Sequence, residues 1–378
     1  MISIGITGQI GFIGSHLFNE IKLYPEEFSL VEFEDSYFED QAKLIKWVKQ
    51  CDVIIHLAAV NRHDNQETLY KTNIELTEKL IKSMRKCDSN AHIIFSSSTQ
   101  EERDNHYGRS KLESREKLYN HSQEKESLFT GLVIPNVYGP FGKPYYNSFI
   151  ATFSHQLTHN EQPEVKVDSK VNLIYIGNLC KFIIKRIREC VTNKSAISVD
   201  HLTVPYDFEM KVSQILEMFL NFRDQYFESS IIPSLKNEHE INLFNTFRSF
   251  IDHKNRYSVK LTKHTDSRGS FVETIRLGVG GQVSFSTTVP GITRGNHYHS
   301  RKIERFTVIK GKALIQLRRI GTDEVFNFEL DGEEPSFVDM PIWYTHNIKN
   351  IGNEDLYTIF WINEFFDVND PDTFFEEV

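Results

Sequence analysis

Short, mostly apolar runs separated by amphipathic stretches organise the first half of the chain. "ISIGIT" (2–7), "DVIIHLAAV" (52–60), "AHIIFSSS" (91–98) and "TGLVIP" (130–135) read as strands buried on both faces. Between them, 39–50, 66–87 and 107–122 carry apolar residues at helical spacing. Strands alternating with helices predict a parallel sheet covered on both faces, a Rossmann-like, doubly wound α/β fold. From about 145 to 250 the pattern is mostly helical, with strand-like "VNLIYI" (171–176) and "AISVDHLTV" (196–204). This stretch is expected to form a substrate lobe on the first domain.

The period changes near residue 252. "SVKLTKH", "GSFVETIRL", "QVSFSTT", "RFTVIKG", "ALIQLRRI", "VFNFEL", "SFVDM" and "YTIFWIN" are short runs parted by glycine, proline or charged turns. Their spacing predicts an all-β sandwich or barrel. The expected domains are therefore 1–252, with the lobe at about 145–250, and 253–378. A chain of 378 residues has room for two or three domains.

A net charge of −9 argues against a nucleic-acid binder that works through a broad basic face, while leaving room for local basic pockets. Cys51, Cys87, Cys180 and Cys190 form no C-x-x-C pair and read as reduced structural thiols. No stretch has the run of about 20 apolar residues that a membrane span needs, and a strand begins almost at once where a signal peptide would lie. The expectation is a soluble, cytoplasmic protein.

Two segments carry chemistry. In "GITGQIGFIGSHL", Gly8, Gly11 and Gly14 lie between a predicted strand and a predicted helix, flanked by Thr7, Phe12 and Ile13. Glycines there permit a tight turn and close backbone approach, so that the helix N-terminus can meet a pyrophosphate. A merely tight βα turn would also use them; the strand–turn–helix context favours the nucleotide. Further on, "YGRSK" places Tyr107 and Lys111 four apart on one helical face. A lysine beside a phenol is expected to lower its pKa, and such a tyrosine can exchange a proton with a carbinol oxygen. Ser98, at the end of "FSSS", could bond the same oxygen. At the predicted end of the second strand, "LVEFED" (30–35) offers acids and no arginine, which suits NADH.

In the C-terminal domain, "GNHYHSRKIERF" holds His297, His299 and Glu304, and "PIWYTHNIKN" supplies His346. On a strand His297 and His299 share a face, and Glu304 and His346 would join them from neighbouring strands. Three imidazoles and a carboxylate suit Zn²⁺ or another divalent transition metal. The same residues can work without metal, as acid–base groups or in a polar barrel interior.

These motifs carry resemblances. The first set resembles the extended short-chain dehydrogenase/reductase family. "HLAAVNR" matches its cofactor wall (His56, Leu57, Ala58), Asn73 its helix asparagine, and "PNVYGP", with Asn136, its substrate-side loop. Two departures are the nine-residue step from Ser98 to Tyr107 and Val133, where many members carry arginine. Gly291, His297, His299, Glu304 and Gly311, with Pro341, His346 and Asn350, resemble the two motifs of the cupin jelly-roll barrel. Trp343 stands where its second motif usually has glycine. "TRGNHYH" and "DSRGSFVE" also resemble the cupin keto-sugar epimerases. That likeness implies His297 as general base, Arg268 on a pyrophosphate, Glu273 and Arg294 at the site, and Lys302 and Tyr344 as proton-transfer candidates. His297 cannot be metal ligand and free base at once.

Across almost its full length the chain resembles the CapF-type family of bifunctional capsular-polysaccharide reductases. The resemblance implies a zinc-binding cupin that epimerises a UDP-2-acetamido-2,6-dideoxy-4-keto-hexose at carbon 3. It also implies a reductase domain that uses NADPH, against the local acidic reading, to make the L-talose-configured product. A homodimer through the cupin is expected. The alternative is a single-activity reductase whose cupin only binds metal and dimerises.

Overall fold

The apolar runs of the first half become strands of one parallel sheet. The computed structural model describes residues 1–192, 198–267 and 269–378. Strand β1 (Ile2–Thr7) sits between β2 (Phe28–Val31) and β3 (Val53–His56). Beyond β3 follow β4 (His92–Ser98), β5 (Phe129–Ile134) and, at the far edge, β8 (Val199–Thr203). All five pairings are parallel. Helices α1 (Phe12–Lys22), α2 (Gln41–Val48), α3 (Gln66–Cys87) and α4 (His106–Glu124) make the crossovers. This is the doubly wound, Rossmann-like architecture that the alternation predicts. Trp47, Phe33, Phe38, Ile54, Leu80, Phe95, Leu118 and Phe129 share one buried core cluster, which fixes the strand ends where the chemistry lies. The strand expected at 196–204 is described from Val199; its first residues, 196 and 197, lie outside the described residues. "VNLIYI" forms β7 (Lys170–Tyr175), which joins β6 (Asn136–Tyr138) and β9 (Phe208–Lys211) in a separate small sheet.

By its contacts the chain forms two units, Met1–Thr152 with Val165–Val212, and Phe153–Glu164 with Ser213–Val378. The second unit holds two five-stranded antiparallel sheets, the cupin-type all-β fold. One runs β10 (Val259–Lys260), β18 (Ser336–Met340), β15 (Glu304–Lys310), β20 (Leu356–Ile362), β13 (Gln282–Thr288). The other runs β17 (Val325–Asp331), β16 (Lys312–Arg319), β19 (Tyr344–Asn350), β14 (Thr293–Tyr298), β21 (Phe374–Phe375). Ala313, Ile315 and Leu317 alternate inward on β16, the period-two pattern visible in the sequence.

Helices α7 (Val212–Phe222) and α8 (Glu238–Arg248) fall almost wholly in this second unit, although the hydrophobic period changes only near 252. Part of the reason is a buried polar network. Arg305 grips Asp339 with two bonds of 2.7 and 2.9 Å, both side chains 1% exposed. Tyr226, in a π-helical turn after α7, donates to Asp339 at 2.6 Å. Arg248 on α8 donates to the Tyr226 hydroxyl at 3.2 Å and to the Met340 carbonyl at 3.2 Å. Asp339→Ala would leave the buried Arg305 guanidinium without its carboxylate and the Tyr226 hydroxyl without its acceptor. Equilibrium denaturation is expected to show a loss of about 3–5 kcal/mol, the range for breaking a buried ion pair.

Candidate active sites

The first site lies where β1 and β3 end side by side, on either side of the point where the strand order reverses. Thr7 pairs in register with His56. Its hydroxyl meets His56 Nδ1 at 2.7 Å and accepts the Ala58 amide at 3.2 Å. Gly8 has φ +68°, and a Cβ there would stand 3.0 Å from the Ala58 backbone. A Cβ on Gly14 would stand 2.2 Å from the Gly8 carbonyl oxygen. The turn, the start of α1 and the 56–58 wall are therefore in backbone contact, which only glycine allows. Gly11 caps α1 without a side chain, leaving first-turn N–H groups for an anion. Phe12 and Ile13 open the helix. His56 is buried and pushed down to about 3 by that burial, with Lys111 adding to the effect; it is a neutral brace. Asn73 holds Val60 at both its amide N–H (2.7 Å) and its carbonyl (3.1 Å), and reaches Ser110 on α4 at 3.0 Å. The wall after β3 and the helix bearing the tyrosine are thus tied by one amide.

Tyr107 and Lys111 sit one turn apart on α4, whose N-terminus is capped by Asn105. Lys111 Nζ donates to the Ser96 carbonyl at 2.8 Å and lies 5.8 Å from the Tyr107 ring centroid. Burial lowers Lys111 to about 8, against the opposing pull of Glu101. Tyr107 does not follow the sequence expectation: burial raises its pKa, and Tyr146 raises it further. The lysine is aimed at a carbonyl of β4, so desolvation dominates at the phenol. A phenol that keeps its proton is the state a reduction needs. Ser98 accepts the Gln100 amide at 3.2 Å, which leaves its own hydrogen free to donate. The short step from Ser98 to Tyr107 is spanned by a 3₁₀ turn (Thr99–Glu102) held by the Arg115–Glu101 ion pair at 3.0 Å. Gly108 makes this possible, since a Cβ there would lie 2.0 Å from the Gln100 carbonyl oxygen. Gly108 and Arg62 went unread in the sequence as site residues. Arg62 ends the "HLAAVNR" run and donates to the carbonyls of Tyr145 (3.0 Å) and Tyr146 (3.2 Å).

Because Tyr107 stays protonated, Lys111 is the first of the pair to lose its proton as pH rises. The expected pH profile of kcat/KM for reduction has a basic limb near pH 8, and Lys111→Arg removes that limb. The linkage runs the other way for stability. The unfolded chain keeps the Lys111 proton up to about pH 10.4, so between the two pKa values it binds more protons and stability rises with pH.

The second site is built on β14, β15 and β19. His297 pairs with His346 across β14 and β19, just after a bulge at Asn296. His299 follows the end of β14, and Glu304 opens β15. One donor atom from each of His297, His299, Glu304 and His346 lies within 4.8 Å of every other. His299, Glu304 and His346 are buried. Glu304 Oε2 stands 3.1 Å from His299 Nε2 and 3.2 Å from His346 Nε2, yet none of these three atoms has a well-formed hydrogen bond. Buried lone pairs converging without donors suit a cation. His299 Nδ1 must donate to the Asp372 carbonyl, and His346 Nδ1 to that of Tyr344 at 3.2 Å, which turns both Nε2 lone pairs inward. Burial, then the neighbouring imidazoles, lowers His297 to about 4, so it is neutral at pH 7. Burial would raise Glu304, but when protons occupy their Nε2 atoms His299 and His346 hold it well below the usual carboxylate range. Against its own burial, His299 is in turn raised by Glu304; a metal ion would take the place of those protons.

The other expected site residues have partners of their own. Lys302 is buried, its ammonium on the Pro371 carbonyl at 2.7 Å. Tyr344 is buried against His253. Glu273 pairs with Arg276 at 2.6 Å, and Arg294 donates to the Thr287 carbonyl at 3.2 Å; both are exposed. Asn136, also exposed, reaches the Asn172 carbonyl at 3.4 Å. Arg268 lies outside the described residues.

Comparison with known proteins covers both regions. The model of the NAD dependent epimerase/dehydratase family matches residues 4–199, and that of the polysaccharide biosynthesis C-terminal domain matches 264–374. A Pseudomonas aeruginosa protein, UDP-2-acetamido-2,6-beta-L-arabino-hexul-4-ose reductase, is 30% identical over 370 residues, 98% of this chain and 97% of its own. The capsular polysaccharide assembling protein CapF from Staphylococcus aureus is 32% identical, with a TM-score of 0.62 and full coverage of both chains. The Bacillus subtilis spore coat polysaccharide biosynthesis protein SpsL is 29% identical over 123 residues, 30% of this chain and 82% of its own. An RMD structure from Pseudomonas aeruginosa complexed with NADPH shares the fold at a TM-score of 0.52 and 17% identity, covering 59% of this chain and 83% of that one. Among the described residues no helix is long and apolar enough to cross a membrane.

Proposed function

The chain belongs to the NAD-dependent epimerase/dehydratase family, in the CapF type that adds a polysaccharide-biosynthesis C-terminal domain, and from this we propose a nucleotide-sugar enzyme with two active sites. The observation that carries the proposal is the presence on one chain of two separately built sites, the Thr7–His56–Tyr107–Lys111 crevice and the four-donor group of the barrel. In this reading the barrel epimerises a UDP-2-acetamido-2,6-dideoxy-4-keto-hexose at carbon 3. The parallel-sheet unit then reduces the 4-ketone to UDP-2-acetamido-2,6-dideoxy-β-L-talose, a precursor of UDP-N-acetyl-L-fucosamine for capsular or surface polysaccharide. The enzyme acts in the cytoplasm as a homodimer. The exposed Val283 and Phe285 on the edge strand β13 support a cupin-mediated dimer.

A bound nicotinamide supplies the hydride. Tyr107 gives its proton to the carbonyl oxygen as negative charge develops there. Ser98 orients that oxygen through its free hydroxyl hydrogen. Lys111, fixed on Ser96, presents a charge to the cofactor ribose. In the barrel, His297, His299, Glu304 and His346 would hold Zn²⁺, which offers Lewis-acid stabilisation to an enolate oxygen. With His297 a ligand, the base for the carbon 3 proton is another group.

On the dinucleotide the resemblance and the residues disagree. NADPH follows from the resemblance. Glu32 favours NADH: it stands exposed directly after β2, eighteen positions beyond Gly14, where an acid accepts the ribose 2′-hydroxyl and repels a 2′-phosphate. The ratio of kcat/KM for the two cofactors decides between them.

The test of the whole reading uses the full chain in D₂O with the UDP-linked 4-keto sugar and no dinucleotide, followed by NMR. Deuterium appearing at carbon 3 supports the epimerase. A metal-loaded protein that shows no exchange is a single-activity reductase with a metal-stabilised binding and dimerisation module.

A further inference from the structure

The C-terminal segment pairs with the end of β14, the strand that carries His297 and leads directly into His299. Residues Phe374 and Phe375 add a strand to β14, opposite Tyr298 and His297. Just before them lies Asp372, 4% exposed, with both carboxylate oxygens and its carbonyl hydrogen-bonded. Its carboxylate accepts the amide (3.0 Å) and hydroxyl (2.6 Å) of Ser300 on one oxygen. The other oxygen accepts the amides of Arg301 (3.0 Å) and Lys302 (2.9 Å). Its carbonyl accepts from His299 Nδ1. One residue therefore pins three of the four residues between His299 and Glu304, the Ile303 amide going to Asn363 instead, and also selects the His299 tautomer. The neighbouring Pro371 carbonyl takes the Lys302 ammonium, and Thr345 donates to the Glu376 carbonyl. The segment is latched on both sides of Asp372.

From this arrangement we infer that Asp372 is a positioning residue for the metal centre, acting through His299 and through the 300–302 turn that sets the distance from His299 to Glu304. The inference rests on the reading of the histidine group as a metal site. A carboxylate that accepts three consecutive backbone N–H groups holds a turn as an anion-binding loop does. Without it the turn is free to open, and the His299 carbonyl partner moves with it. A ligand held by a second partner loses about 10- to 100-fold in metal affinity when that partner is removed.

The experiment compares the full-length protein with Asp372→Ala, using Zn²⁺ itself as the probe. Zinc content, competition against a chromophoric chelator and the zinc-induced rise in Tm are measured, with ketone reduction as a control on the other unit. The expected result is a zinc affinity lowered by about 10- to 100-fold, a smaller zinc-induced Tm rise, an apo-protein Tm lowered by less than the zinc-loaded Tm, and a reductase rate close to that of the parent. Thr373→Val, at an exposed neighbour, leaves zinc affinity unchanged. Equal zinc affinity in Asp372→Ala and parent overturns the inference, as does an equal loss of Tm with and without zinc, since that marks a purely structural latch. If Asp372→Ala does not fold, Ser300→Ala removes one bond to Asp372 and is expected to weaken zinc about threefold; no change there overturns the inference too. A parent protein that binds no zinc overturns the metal reading itself, a separate outcome.

Discussion

Replacing Tyr107 with phenylalanine is expected to lower kcat for ketone reduction by about 10²- to 10⁴-fold, the usual contribution of a positioned general acid. Dinucleotide binding, followed by fluorescence, is expected to stay near the parent value. The two effects separate because the structure separates the anchors. Lys111 is held by the Ser96 carbonyl at 2.8 Å, not by the phenol, so removing the hydroxyl leaves the lysine in place. Asn73 clamps Val60 and Ser110 and never touches the Tyr107 side chain through those bonds. The ring itself remains to pack. A variant that lost binding and turnover together would mean that the phenol holds the cofactor rather than supplying a proton. The elevated Tyr107 pKa gives a second check, because the parent's basic limb then belongs to Lys111 and persists in the residual activity of Tyr107→Phe.

His346→Ala is expected to have the largest effect in the barrel. It removes one of four donors, the imidazole nearest to His297, at 4.6 Å between ring centroids, and one of the two imidazoles that face Glu304, at 3.2 Å. Zinc content after dialysis is expected to fall to a trace. Deuterium incorporation at carbon 3 should drop by at least about 10²-fold, the scale set by losing electrostatic stabilisation of a developing oxyanion. Reduction of a substrate already epimerised should continue, because His346 belongs to the second unit and Tyr107 to the first. Retained zinc with lost exchange would instead identify His346 as the base. Retained exchange without zinc would put the histidines to work as metal-free acid–base groups.

Much of both sites was legible because their residues lie close in sequence. Gly8, Gly11 and Gly14 lie in one strand–turn–helix junction, Tyr107 and Lys111 in one turn of helix, and His297, His299 and Glu304 along one strand, the turn after it and the first residue of the next strand. Local periodicity suffices to place such residues on a common face. The direction of the Tyr107 shift was not legible. It depends on how completely the phenol is desolvated and on Tyr146, thirty-nine positions away in the chain. Gly108 reads as an ordinary member of "YGRSK" until the 3₁₀ turn is seen to lie against it.

By itself, then, the sequence determined the alternation that makes a parallel sheet, the period-two run that makes the barrel, and the residue types of both sites. Hydrophobic period and short-range spacing are properties of neighbouring residues. Tertiary structure alone decided the partners drawn from far along the chain. Asp372 meets Ser300 across 72 positions, Arg62 meets Tyr145 across 83, and Tyr226 meets Asp339 across 113. Such a pair has no period to betray it. Its free energy comes from satisfying a buried charge or amide that only the folded chain takes out of water.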